Sequence, residues 1–155
     1  MSITEKKIRT IIVEDELPIR DEILELAMLS EDLQVVGVGK NGKELAELLD
    51  QKKPDLAILD IELPITDTMT VLADRKNIPQ IIFITAYEMY APKAFEIAAI
   101  DFLVKPVKEE RFNKALLRAI NRIRVDHQNI NSTKKNQKYF GFVRMIKLSP
   151  FPFIA

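Results

Sequence analysis

No cysteine occurs among the 155 residues. That absence removes disulfides, thiolate nucleophiles and zinc–thiolate centres together, and it fits a reducing cytoplasm. Long apolar runs are also missing: none approaches the roughly 20 residues that cross a bilayer. The first residues include Glu5, Lys6 and Lys7, where a secretion signal would be apolar. A soluble cytoplasmic chain with no membrane partner is expected. Histidine occurs once, as His127, set among polar neighbours beyond the last expected helix and read as a solvent-exposed residue.

What is present is enough for one domain with a modest extension. At 47% hydrophobic and 30% charged, the chain can bury a core without covalent staples. The formal net charge of zero conceals a gradient: residues 1–60 carry 14 acidic and 8 basic side chains, and residues 105–138 carry 3 and 10. A basic end can meet nucleic acid or an acidic partner, or simply be a solvated helix face and linker.

The run Leu56-Ala57-Ile58-Leu59 is too short for a helix and is closed by Pro64, so it reads as a buried parallel strand delivering Asp60 to its carboxyl end. Open α/β sheets bind ligands at that edge. Taken alone, Asp60 could equally cap the next turn. Ile8–Val13 is β-branched and ends in Glu14-Asp15-Glu16. Carboxylates crowded at the end of a buried strand repel one another and resist desolvation, which calls for a cation; Glu16 can instead face solvent at a helix start. A helix is expected from Pro18 to about Leu29, a strand over Leu33–Val38, and a helix from Lys43 to about Gln51 after the Asn41-Gly42 turn. Thr66 or Asp67 can cap a third helix reaching Arg75, with a thin apolar face. Ile81–Ile84 presents Thr85, a short helix spans about Pro92–Ala98, and Asp101–Val104 ends at Lys105-Pro106. An amphipathic helix from Lys108 to about Val125 then buries Phe112, Ala115, Leu116, Ala119, Ile120 and Ile123.

Five strand–helix alternations specify a doubly wound parallel sheet with right-handed crossovers, in which the flavodoxin-like (βα)5 order 2-1-3-4-5 is the usual solution. That order makes the first and third strands neighbours. Asp15 and Asp60 then meet at one edge, and Thr85 and Lys105 close the same rim.

Asp15, Asp60, Thr85 and Lys105-Pro106, each ending a successive strand, together resemble the receiver domain of two-component response regulators over residues 8 to about 125. The resemblance implies that Asp60 is the phosphoacceptor, that Asp15, Asp60 and the backbone carbonyl of Glu62 hold Mg²⁺, and that Glu14 acts through metal-bound water. Lys105 and Thr85 would contact phosphoryl oxygens, and Pro106 would follow a cis peptide. It further implies that Thr85 and Phe102 form the switch, that Glu62 and Tyr87 tune the lifetime of the aspartyl phosphate, and that the activated chain dimerises through the fourth helix, fifth strand and fifth helix. The phosphoryl group would come from a sensor histidine kinase or a small acyl phosphate, not from His127. One departure stands out: the family usually has glycine where this chain has Thr68, so a differently shaped loop is expected there.

The segment from Thr85 through Pro106 most resembles receivers joined to LytTR-type DNA-binding domains, which implies transcription regulation as the parent class. The expected organisation is a receiver over 1–127, a polar linker over 128–138 and an apolar tail over 139–155. Tyr139-Phe140-Gly141-Phe142-Val143 resembles the opening strand of such a domain, but the tail is too short to build one. DNA binding is therefore expected only if a full effector domain exists in the parent protein. Two other functions compete. A Mg²⁺-dependent phosphohydrolase would use Asp60 as nucleophile, but the haloacid-dehalogenase pattern has aspartate where this chain has Glu62, and there is no room for a cap. A phosphate-independent interaction module would keep the shape without the chemistry, against the intact acidic, threonine and lysine set.

Overall fold

The β-branched and apolar runs form parallel strands because each can bury both of its faces. The structure, a computed structural model, describes residues 6–73 and 75–133. The strands are β1 (Ile8–Val13), β2 (Leu33–Gly39), β3 (Leu56–Asp60), β4 (Gln80–Thr85) and β5 (Asp101–Val104). The helices are α1 (Leu17–Met28), α2 (Gly42–Lys52), α3 (Thr68–Ala73), α4 (Ala91–Glu96) and α5 (Glu109–Thr133), with a 3-10 turn over Glu88–Tyr90. All five strands are parallel in the order β2-β1-β3-β4-β5. The expected doubly wound, flavodoxin-like fold is the one observed.

Register places the functional edge. Val13 pairs with Leu59 and Asp60 with Ile84, so the residues following β1 and ending β3 and β4 lie side by side. Side chains alternate across the sheet. Ile11, Val13, Ala57, Leu59, Ile81 and Phe83 pack on one face with Leu45 and Leu49 of α2, Leu72 of α3 and Ala94 of α4. Ile12, Ile58 and Ile82, also buried, point the other way. In α1, Ile23 and Ala27 are buried, while Leu24 and Leu26 are half-buried. Phe112, Ala115, Leu116, Ala119 and Ile120 make a buried stripe on α5.

Local chemistry fixes the joints. Asn41 caps α2, its Oδ1 accepting from Glu44 N at 2.8 Å, and Glu44 Oε1 accepts from Lys40 N at 2.9 Å. A Cβ at Gly42 would stand 1.6 Å from the Thr66 carbonyl oxygen, and Gly42 N donates to Pro64 O at 3.0 Å. Only glycine lets α2 start against the loop that follows Asp60. Asp101, at the start of β5, accepts two hydrogen bonds from Arg111 (2.9 and 2.6 Å) and one from Arg118 (3.0 Å), tying β5 to α5. Burial alone would raise its pKa, but those guanidinium partners hold it below the usual carboxylate value.

Two boundaries differ from expectation. The third helix starts at Thr68, after an Asp67 cap that accepts from Thr70 N at 2.9 Å, and ends at Ala73, short of Arg75. The fifth runs past Val125 to Thr133, so residues 128–133, read from sequence as the opening of a linker, are helical, and His127 lies within the helix and is exposed. Contacts divide the chain at Ile120/Asn121. The described part of the second unit is the remainder of α5. The tail at 139–155 lies outside the described residues. Among those residues, no helix is long and apolar enough to cross a membrane.

Candidate functional site

The carboxyl ends of β1, β3 and β4 and the turn after β5 converge on Asp60. Its side chain is nearly buried, as is Glu14, whereas Asp15 is exposed. One carboxylate oxygen from each of Glu14, Asp15 and Asp60 lies within 4.8 Å of the others. Lys105 Nζ enters this cluster from the end of β5, across β4 from β3. It donates to Asp60 Oδ2 at 2.8 Å, stands 2.9 Å from Glu14 Oε1, and reaches Glu16 Oε1 at 3.2 Å. Glu16 therefore partners Lys105 from the rim, although its side chain is mostly exposed as a helix-start acid would be.

Burial sets the electrostatics. Desolvation pushes the Glu14 carboxyl up to about 7, against the pull of Lys105 and the backbone N–H of Glu16, with repulsion from Asp60 adding to the rise. Desolvation likewise raises Asp60, and Lys105 only partly offsets it. Burial would lower Lys105, but its hydrogen bond to Asp60 and its close charge pairing with Asp60 and Glu14 outweigh that and hold it above the ordinary lysine value. One ammonium thus serves several carboxylates. Glu14 Oε1 is buried and accepts no hydrogen bond, the nearby ammonium being close without an N–H aimed at it. A surplus of buried oxygen charge with an unfilled acceptor is the donor set of a hard divalent cation, so these residues fit Mg²⁺.

The backbone around Asp60 is held from both sides. Glu62 N donates to Asp60 Oδ1 at 3.0 Å. The Thr68 hydroxyl, fully buried, donates to the Asp60 carbonyl. The loop between them does contain a left-handed residue, but it is Ile65, at φ 72°, rather than Thr68. Threonine is accommodated because it occupies the first turn of α3, where its β-branch is unstrained and its hydroxyl has an acceptor. Thr85 is fully buried and its Oγ1 accepts from Tyr87 N at 3.3 Å. Lys105 N donates to Thr85 O at 2.8 Å, and the Lys105–Pro106 peptide is cis. Phe102 is half-buried on β5, paired in register with Phe83.

Asp15, Asp60, Thr85, Lys105 and Glu14 are therefore brought to one edge, with Glu62 and Tyr87 at its mouth and Phe102 set back along β5. Two contributors were not singled out from the sequence. Arg20 Nη1 donates to the Glu14 carbonyl at 2.9 Å, and Tyr90 Oη donates to Glu62 Oε1 at 2.6 Å. Neither lies at a strand end, where a parallel sheet gathers its polar site residues.

Residues 10–117 match the family model described as the response regulator receiver domain. The chain belongs to the response regulator receiver family. This receiver of two-component systems is 37% identical over 112 residues to an uncharacterized response regulatory protein of Vibrio cholerae, covering 71% of the chain and 47% of that protein. It is 35% identical over 112 residues to the sensory transduction protein LytT of Bacillus cereus (70% and 46%), and 33% identical over 138 residues to the transcriptional regulatory protein BtsR of Salmonella typhi (88% and 57%). The receiver thus spans about half the length of the curated relatives it matches. Among solved structures, the response regulatory domain of mrkE from Klebsiella pneumoniae superposes with a TM-score of 0.70 at 30% identity, covering 76% of this chain and 98% of that one. The receiver domain of AraT from Geobacillus stearothermophilus superposes with a TM-score of 0.73 at 25% identity, covering 79% and 99%.

Proposed function

We propose that this receiver is a phosphorylation switch in which Asp60 accepts a phosphoryl group from a phosphohistidine on a sensor kinase. The observation that carries the proposal is the placement of Lys105 Nζ 2.8 Å from Asp60 Oδ2, beside a cluster of carboxylates that it cannot neutralise alone. Phosphoryl transfer asks little of a protein except an in-line nucleophile and positive charge around the moving group. An Asp60 oxygen attacks phosphorus, the phosphorus–nitrogen bond to the donor breaks, and its electron pair leaves with the imidazole. Lys105 follows a phosphoryl oxygen as a mobile point charge, and the Thr85 hydroxyl donates to another. Asp15, Asp60 and the backbone carbonyl of Glu62 would hold Mg²⁺, with Glu14 acting through water, and the ion would supply charge that offsets the phosphoryl oxygens.

The output follows from Thr85 moving toward the phosphoryl group and Phe102 turning into the space released, which reshapes the face of α4, β5 and α5 for a homodimer. The name of BtsR, a transcriptional regulatory protein, supports transcription regulation as the parent class, with DNA contacted only if the parent protein carries a full effector domain. The chain turns over no external substrate; its chemistry is the gain and loss of its own phosphoryl group.

Intact mass after incubation with acetyl phosphate and Mg²⁺ tests the proposal. One phosphoryl adduct is expected, absent in Asp60→Asn and absent with chelator. No adduct in the unaltered chain would overturn the switch and favour a phosphate-independent interaction module.

A further inference from the structure

Tyr90 lies in the 3-10 turn between β4 and α4, half-buried with its ring packed on the core. Its hydroxyl crosses the mouth of the site to donate to Glu62 Oε1 at 2.6 Å. Tyr87 meets the Tyr90 ring edge-on, with centroids 6.2 Å apart and planes at 75°. Tyr90 N donates to Tyr87 O at 3.3 Å, and Tyr87 N donates to Thr85 Oγ1 at 3.3 Å. On the other side, Glu62 N donates to Asp60 Oδ1 at 3.0 Å. The contacts therefore form a continuous chain, Asp60–Glu62–Tyr90–Tyr87–Thr85, beside the acceptor carboxylate. Tyr90 is the member that joins the β3 end of the chain to the β4 end.

We infer that Tyr90 is a positioning residue that latches Glu62 across the mouth of the site and thereby prolongs the phosphorylated state. This rests on the phosphorylation of Asp60 proposed above. Loss of the phosphoryl group requires a water oxygen to attack phosphorus while the bond from phosphorus to the Asp60 oxygen breaks, its electron pair returning to the carboxylate. The proton released by the water goes to a base, and inorganic phosphate leaves. Glu62, whose backbone N–H holds Asp60 Oδ1, is the carboxylate two residues beyond the acceptor that would take that proton or orient that water. The Glu62 oxygen engaged by the Tyr90 phenol has a lone pair occupied and is turned toward Tyr90. The same contact also ties Glu62 to the turn that carries Tyr87, so the mouth is narrowed from both sides. Movement of Thr85 toward a phosphoryl group pulls on Tyr87 and so loads the latch from within.

The test is the decay of the aspartyl phosphate, followed by intact mass after removal of acetyl phosphate, in the full chain and in Tyr90→Phe, Glu62→Gln and the double variant. Tyr90→Phe keeps the ring and its packing and loses only the hydroxyl. The expected result is decay roughly fivefold faster in Tyr90→Phe, the scale of one net hydrogen bond, with no effect of the same change in the Glu62→Gln background. Unchanged thermal midpoints separate a positioning role from loss of fold. Equal decay of Tyr90→Phe and the unaltered chain overturns the latch while leaving the switch standing, as does an acceleration of equal size in both backgrounds. Failure of the unaltered chain to take up phosphate overturns the switch itself, and the latch with it.

Discussion

Glu14 carries an electrostatic conflict that makes the site measurable without any partner. Its side chain is 1% exposed, and burial pushes its pKa to about 7 from an ordinary 4.5. Between those values the native state binds more protons than the unfolded chain. The stability contributed by Glu14 is therefore complete below the unfolded value and is lost as pH rises through about 7. Lys105, whose pKa is raised, contributes a loss of the same sign only at the alkaline end, well above that window. In chelator, the urea midpoint is expected to fall as pH rises from about 5 to about 8, and Glu14→Gln is expected to flatten the slope. Added Mg²⁺ should restore more stability at the upper end of the range than at the lower, because the carboxylate is charged there. Urea titrations across that range check this. An unaltered slope in Glu14→Gln would remove Glu14 as its source.

At the scale of elements, the joint between β3 and α3 decides how firmly the acceptor is held. The Thr68 hydroxyl at the first turn of α3 donates to the Asp60 carbonyl inside a buried junction. Thr68→Val keeps the shape and removes the donor, and it is expected to lower stability by about 1–2 kcal/mol. Thr68→Ser keeps the hydroxyl and should lose less. Chemical denaturation of the two variants checks the order, and a valine variant as stable as the serine one would show that the bond contributes nothing. The same joint shows where sequence reading reached its limit. Leu56–Asp60 was legible as a strand because a short apolar run closed by proline has few other solutions. Asp15, Thr85 and Lys105 were legible because a parallel sheet gathers strand ends. The use of Thr68 was not, since a threonine eight residues past the acceptor says nothing of its acceptor until the loop is folded. The end of α5 was also hidden: residues 126–133 carry no glycine or proline stop, and their polarity read as linker although it is compatible with a solvated helix. Tyr90 escaped for a related reason, because its partner Glu62 is 28 residues distant in sequence.

For the whole molecule, the proposed switch raises the question of how a phosphoryl group on Asp60 would become visible to another copy. The fold answers through β4 and β5, since Thr85 pairs in register with Val104 and Phe83 with Phe102. A shift of Thr85 is thus delivered to the edge strand that lies between α4 and α5 in the chain. Phe95 on α4 is 58% exposed and Leu117 on α5 is 60% exposed. Large apolar side chains held in water on those elements gain by being covered between two copies. Arg111 and Arg118, joined to Asp101, fix the orientation of α5 against β5 and so keep Leu117 in a constant frame. Sedimentation velocity with beryllofluoride and Mg²⁺ is therefore expected to move the chain from monomer toward dimer, with no such shift in Asp60→Asn. Phe95→Asp should block the dimer while leaving phosphoryl uptake, read by intact mass, unchanged. Dimerisation of Phe95→Asp to the same extent as the unaltered chain would place the interface elsewhere. Loss of uptake in that variant would instead mean that α4 is coupled to the acceptor more tightly than through β4 and β5 alone.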